Sequence, residues 1–103
     1  MSSFELPGMA RITSHEEIDY VDTPEGVEPI HTDLWSYFGQ VYVDGQNLGS
    51  SEMFDTPADA IAAGRRHLDR YLNTVIRELE ERIDLYKSMR LLIASDCNGE
   101  RSR

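Results

Sequence analysis

Thr56-Pro57-Ala58-Asp59-Ala60-Ile61-Ala62-Ala63 is the stretch on which the fold turns. A threonine hydroxyl can accept a bond from a free amide at a helix start, and proline suits the first helical position because it has no amide to leave unpaired. Asp59, three residues after the cap, adds negative charge where the helix dipole favours it. Downstream, Ile61, Leu68, Leu72, Val75, Ile76, Leu79, Ile83, Tyr86, Met89 and Ile93 recur at helical spacings. This pattern predicts one long helix over 56–95. Lys87 and Arg90 suit its C-terminal end, Asn98-Gly99 is a stop signal, and 96–103 is expected to be a frayed tail. Gly64 is the only interior breaker, at a cost of about 1 kcal/mol relative to alanine.

Upstream lies the aromatic run Leu34-Trp35-Ser36-Tyr37-Phe38-Gly39-Gln40-Val41-Tyr42-Val43. Its β-branched and aromatic content favours strand. With period two, Trp35, Tyr37, Val41 and Val43 share one face, and Phe38 and Tyr42 the other. Asp44-Gly45 suits a tight turn, and a return strand through Leu48 to Phe54, weakened and open to bulging at Gly49-Ser50-Ser51, completes a hairpin over 34–55.

Residues 1–33 are polar, acidic and interrupted by Pro7, Pro24 and Pro29. Ile12, Ile18, Tyr20 and Val21 are the candidate anchors. Glu17 to Asp22 alternate enough for an edge strand, although Ser14 with Glu17 could instead cap a short helix. Thr23-Pro24-Glu25-Gly26 reads as a turn. The expected fold class is therefore α+β in a single domain, 1–103. It comprises an N-terminal extended acidic segment with a possible third edge strand, a β-hairpin, and one long C-terminal helix on which the hairpin packs.

Helix length argues for a partner. Residues 57–93 would span on the order of 55 Å at 1.5 Å per residue, whereas a strand of five or six residues covers roughly 17–20 Å. The hairpin can cover about a third of the helix, most readily its alanine-rich first turns. A seam of Leu72, Val75, Ile76, Leu79, Ile83 and Tyr86 is then left for a second copy of the chain, giving a helix-mediated homodimer. Arg82 falls where a strict heptad wants an apolar residue, so the stripe drifts and a long regular zipper is not expected. A break near Gly64 or Asn73-Thr74 into two helices is the alternative.

Charge divides where the architecture does. Residues 1–56 carry eleven acidic side chains against one base, Arg11, and account for more than the whole net charge of −9. Such a field repels nucleic acid and anionic membrane and attracts basic protein surfaces. The expected partner-binding acids are Glu16, Glu17, Asp19, Asp22, Glu25, Glu28 and Asp33. One cysteine, Cys97, excludes an internal disulfide, and neither a secretory signal nor a bilayer-spanning run is seen, so a cytoplasmic protein is expected.

Catalytic and metal-binding patterns are weak. His15-Glu16-Glu17 begins like a zincin helix, but position 19 is Asp19 rather than histidine, and no His or Cys pair has ligand spacing. Cys97 lies in a polar tail with no adjacent base, and Gly49-Ser50-Ser51 is not a nucleophile elbow. Asp44-Gly45-Gln46-Asn47 lacks the alternating acids of a calcium loop. Arg65 and Arg66 are spaced to pair with Asp69, which would make that basic cluster an internal clamp between helix and acidic segment. No enzyme, cofactor or metal is expected. The sequence points to an acidic interaction protein that docks on a basic protein surface. In size and charge it is like the phage or mobile-element anti-defence proteins that inhibit nucleic-acid-handling complexes. The alternatives are a structural module acting through homodimerisation and a small enzyme or ligand-binding domain with its pocket at the dimer seam near Trp35, Tyr42 and His67.

Overall fold

The structure, a computed structural model, describes residues 3–101, with side chains described through Asp96. The α+β expectation holds: a four-stranded antiparallel sheet in the order β1-β2-β3-β4 precedes one helix. The strands are β1 (Ser3–Leu6), β2 (Ala10–Thr23), β3 (Gly26–Val41) and β4 (Gln46–Gly49), and α1 spans Pro57–Arg101. By contacts the chain divides into two compact units, Met1–Asp69 and Arg70–Arg103.

The first unit has more strand than its sequence suggested. The segment expected to be only partly extended, 1–33, supplies β1, β2 and the first part of β3. Pro7 does not break structure. It forms a turn with Gly8, whose φ of 74° is open to glycine, and the Met9 amide closes the turn on the Leu6 carbonyl at 2.9 Å. The Thr23-Pro24-Glu25-Gly26 turn is present and joins β2 to β3. Of the proposed anchors, Ile12 is the most deeply buried at 1% exposure, whereas Tyr20 and Val21 lie exposed.

The hairpin around Asp44-Gly45 also forms, with Gly45 at a φ of 69°. Its return strand is short. β4 ends at Gly49; the Ser50 amide still donates to the Tyr37 carbonyl at 3.3 Å, and further on Trp35 and Phe54 exchange two 2.7 Å backbone bonds. Tyr37 and Val41 share the buried face as expected, joined by Gly39. Val43 does not: the chain leaves the sheet after Val41, and Val43 is 87% exposed.

The start of α1 follows its sequence signals. Thr56 Oγ1 accepts the Asp59 amide at 3.0 Å, and the Thr56 carbonyl accepts the Ala60 amide at 3.1 Å. Ala60, Ala63 and Leu68 are buried with Ala10, Ile12, Tyr37, Val41 and Leu48, forming the core. Small residues let the backbones approach closely. A Cβ added to Gly64 would lie 2.6 Å from Ile12 Cγ2 and 3.0 Å from Tyr37 Cδ1. Gly64 is therefore a contact point between helix and sheet, not merely a weak spot.

Beyond Asp69 the helix shows no break at Asn73-Thr74. Thr74 Oγ1 bonds back to the Arg70 carbonyl at 3.1 Å within an uninterrupted helix. The expected helix end and frayed tail after residue 95 are also not observed, because α1 runs through Asn98-Gly99 to Arg101. One glycine costs a helix about 1 kcal/mol, which is not enough by itself to end it.

Candidate functional site

β2 and β3 continue past their neighbours. Among the described residues β1 pairs with β2 at Leu6–Ser3 against Ala10–Thr13, and β4 pairs with β3 at Phe38–Val41. From Ile18 to His31 the two strands pair only with each other, forming a two-stranded arm closed by the Thr23–Gly26 turn. Thr23 Oγ1 donates to the Gly26 carbonyl at 2.7 Å and stiffens that turn.

The arm is set off from the sheet by a bulge. Glu16 pairs with Trp35 and Ile18 with His31, so Thr32, Asp33 and Leu34 stand opposite Glu17 alone. Asp33 takes a φ of 59°, a left-handed conformation that aspartate tolerates better than most residues. Side chains hold the irregularity in place. His31 Nδ1 donates to Glu16 Oε1 at 2.7 Å, and the Asp33 amide donates to Glu16 Oε2 at 3.3 Å. Thr32 Oγ1 donates to the Glu17 carbonyl at 2.6 Å and accepts the Leu34 amide at 3.2 Å. The hydrogen bond to Glu16, followed by that carboxylate's charge, raises the His31 pKa above the ordinary histidine value.

This geometry sorts the seven acids expected to meet a partner. Glu16 is engaged in the bulge, and Glu17 and Asp33 lie within it. Asp19, Asp22, Glu25 and Glu28 decorate the arm beyond, all exposed. They do not form one flat face. The pairs Asp19–Ile30 and Val21–Glu28 lie on one side of the ribbon, and Tyr20–Pro29 and Asp22–Val27 lie on the other. Apolar side chains are interleaved with the acids, with Tyr20 at 69% and Val27 at 63% exposure. The acids therefore ring the ribbon, and sequence position alone could not reveal this arrangement.

In the second unit the expected seam residues lie along α1. Leu72, Ile76, Leu79, Ile83 and Tyr86 are exposed and Val75 half-buried. Tyr86 and Ile83 border a shallow depression completed by Lys87 and Arg90.

Within one chain, Trp35, Tyr42 and His67 each have their own surroundings. His67 Nδ1 is bonded to the Tyr37 hydroxyl at 2.7 Å, and its ring stands edge-on to Tyr37. Trp35 pairs with Phe54, and Tyr42 is exposed. The pairing of Arg65 or Arg66 with Asp69 is not seen: among the described residues no ion pair joins them. The Arg65 guanidinium lies 4.4 Å from the Phe4 ring centre, a cation–π contact that sequence spacing could not foresee because Phe4 arrives on β1. Among the described residues no group of three His, Cys, Asp or Glu could hold a metal, and no helix is long and apolar enough to cross a membrane. Comparison with known protein families, with curated proteins and with solved structures finds no match.

Proposed function

We propose that this protein is a non-enzymatic interaction protein whose acidic β2–β3 arm docks on a basic surface of a protein partner in the cytoplasm. One observation carries the reading: Asp19, Asp22, Glu25 and Glu28 stand exposed on a ribbon that, among the described residues, no other strand flanks. Acids on both sides of a narrow ribbon suit insertion between basic walls better than docking on a flat patch. The interleaved Tyr20, Val27 and Ile30 supply the apolar contact that charge alone lacks. A groove that ordinarily holds nucleic-acid phosphates offers such walls, so inhibition of a nucleic-acid-handling complex is the form of the activity that best suits this arm.

The second reading, an assembly module, rests on the exposed apolar stripe of α1, which pairs two copies of the chain. The two readings are compatible, and one experiment separates them. Partner capture from the native cell is compared for the wild type, an arm variant (Asp19→Asn, Asp22→Asn, Glu25→Gln, Glu28→Gln) and a helix variant (Leu72, Leu79 and Ile83 to Gln). Loss of the partner in the arm variant alone supports docking through the arm. Loss in the helix variant alone overturns it in favour of the assembly reading.

A further inference from the structure

The stripe of α1 carries enough asymmetry to set the direction in which two copies pair. Taking Leu72, Leu79, Tyr86 and Ile93 as one heptad position, a, places Val75, Arg82 and Met89 at d, with Ile76, Ile83 and Arg90 at e. Ile76, Leu79, Ile83, Tyr86 and Met89 are each about half exposed, and apolar side chains gathered in this way mark interaction surfaces.

A parallel, in-register pair would set Arg82 directly against the same residue of the other copy inside the seam. Like charges in a drying seam oppose association. An antiparallel pair removes this conflict, because position a of one helix meets position d of the other.

We infer that the occupant of this stripe is a second copy of the chain, running antiparallel and centred at residue 84. This rests on the dimer reading above. The registers that match a with d are spaced by half a heptad, at centres near 80.5, 84 and 87.5. Residues up to Asp69 belong to the sheet unit, so the helix available for pairing begins at Arg70. Centres 80.5 and 84 each align three a–d pairs within the stripe; 84 is favoured because it sets Arg82 against Tyr86 rather than Leu79, with Leu72 falling opposite Asp96 at the end of the seam.

At that centre Val75 meets Ile93, Leu79 meets Met89, and Ile83 lies beside its own copy. Arg82 meets Tyr86, whose ring face suits a guanidinium. Glu80 falls between Lys87 and Arg90, the cations bordering the depression beside Ile83 and Tyr86. The arginine that breaks the heptad in a parallel pair thus gains a partner in the antiparallel one.

Electron spin-echo distance measurement on the full chain tests this. Cys97→Ser leaves a single label site in each of two proteins, Asn73→Cys and Ser88→Cys, and circular dichroism checks that each keeps its helix. Antiparallel pairing about residue 84 separates the two Asn73 sites by about 33 Å along the axis and the two Ser88 sites by about 12 Å. The Asn73 distance should therefore exceed the Ser88 distance by on the order of 15–20 Å after the lateral offset of 8–10 Å between helices is included. Equal, short distances at both sites overturn the antiparallel inference and leave the dimer standing. The absence of any intermolecular coupling at about 100 μM overturns the dimer itself.

Discussion

Replacing Gly64 with alanine sets two effects of opposite sign against each other. Helix propensity alone makes Gly64→Ala stabilising by about 1 kcal/mol. Packing says otherwise. The new methyl would lie 2.6 Å from Ile12 Cγ2 and 3.0–3.1 Å from the Tyr37 ring, whereas carbon atoms rest at about 3.5–4.0 Å. Neither neighbour can easily yield: Ile12 is the most deeply buried large side chain, and Tyr37 is tied to His67 at 2.7 Å. Overpacking costs about 1–3 kcal/mol, and a 2.6 Å overlap belongs to the upper part of that range, about 2–3 kcal/mol, so after the helix gain the expected net loss is about 1–2 kcal/mol. In urea, at a slope near 2 kcal/mol per molar, the midpoint should fall by about 0.5–1 M at fixed protein concentration. In an Ile12→Ala background the same substitution should cost less, because the methyl it strikes is gone. A midpoint that rises on Gly64→Ala would refute the reasoning.

Three further outcomes are expected. Thr56→Ala removes the acceptor for the Asp59 amide and should cost about 1 kcal/mol in the same urea assay. Tyr37→Phe should cost about 1 kcal/mol by breaking the bond to His67, and the His67 ring resonances should shift in the NMR spectrum. His31 should titrate by NMR above the ordinary value of 6.5, and Glu16→Gln should bring it back down. Because its folded-state pKa is raised, its contribution to holding the bulge is complete below that ordinary value and is lost as pH rises through the folded one.

The helix was legible because its start is written locally: Thr56, Pro57 and Asp59 act within one turn, and the stripe repeats with the helical period. The arm was legible only in part: Glu17–Asp22 alternates enough for an edge strand and Thr23–Gly26 reads as a turn, but both sides of the returning strand meet water, so Val27–His31 shows no sustained alternation, and Pro29 looks like a break. Pro29 is tolerated because only one strand flanks β3 there, leaving a position that requires no donated bond. The acids of the candidate site were visible as composition. Their division into a bulge that Glu16 and His31 hold and a ring of free acids beyond it depends on a three-for-one register that no spacing encodes. Gly64 shows the same limit. Its cost to the helix can be read from sequence, but Ile12 and Tyr37, which make glycine necessary, lie 52 and 27 positions away.

The most direct test of the acidic arm as the docking element is the affinity of the captured partner as a function of salt. It is measured for the wild type and for the Asp19→Asn, Asp22→Asn, Glu25→Gln, Glu28→Gln variant. Exposed charges are screened over about 8 Å at 0.15 M salt. Wild-type affinity should therefore fall steeply as salt rises, and the variant should bind more weakly with a flatter dependence. Equal affinities with equal salt dependence in the two proteins would contradict the account.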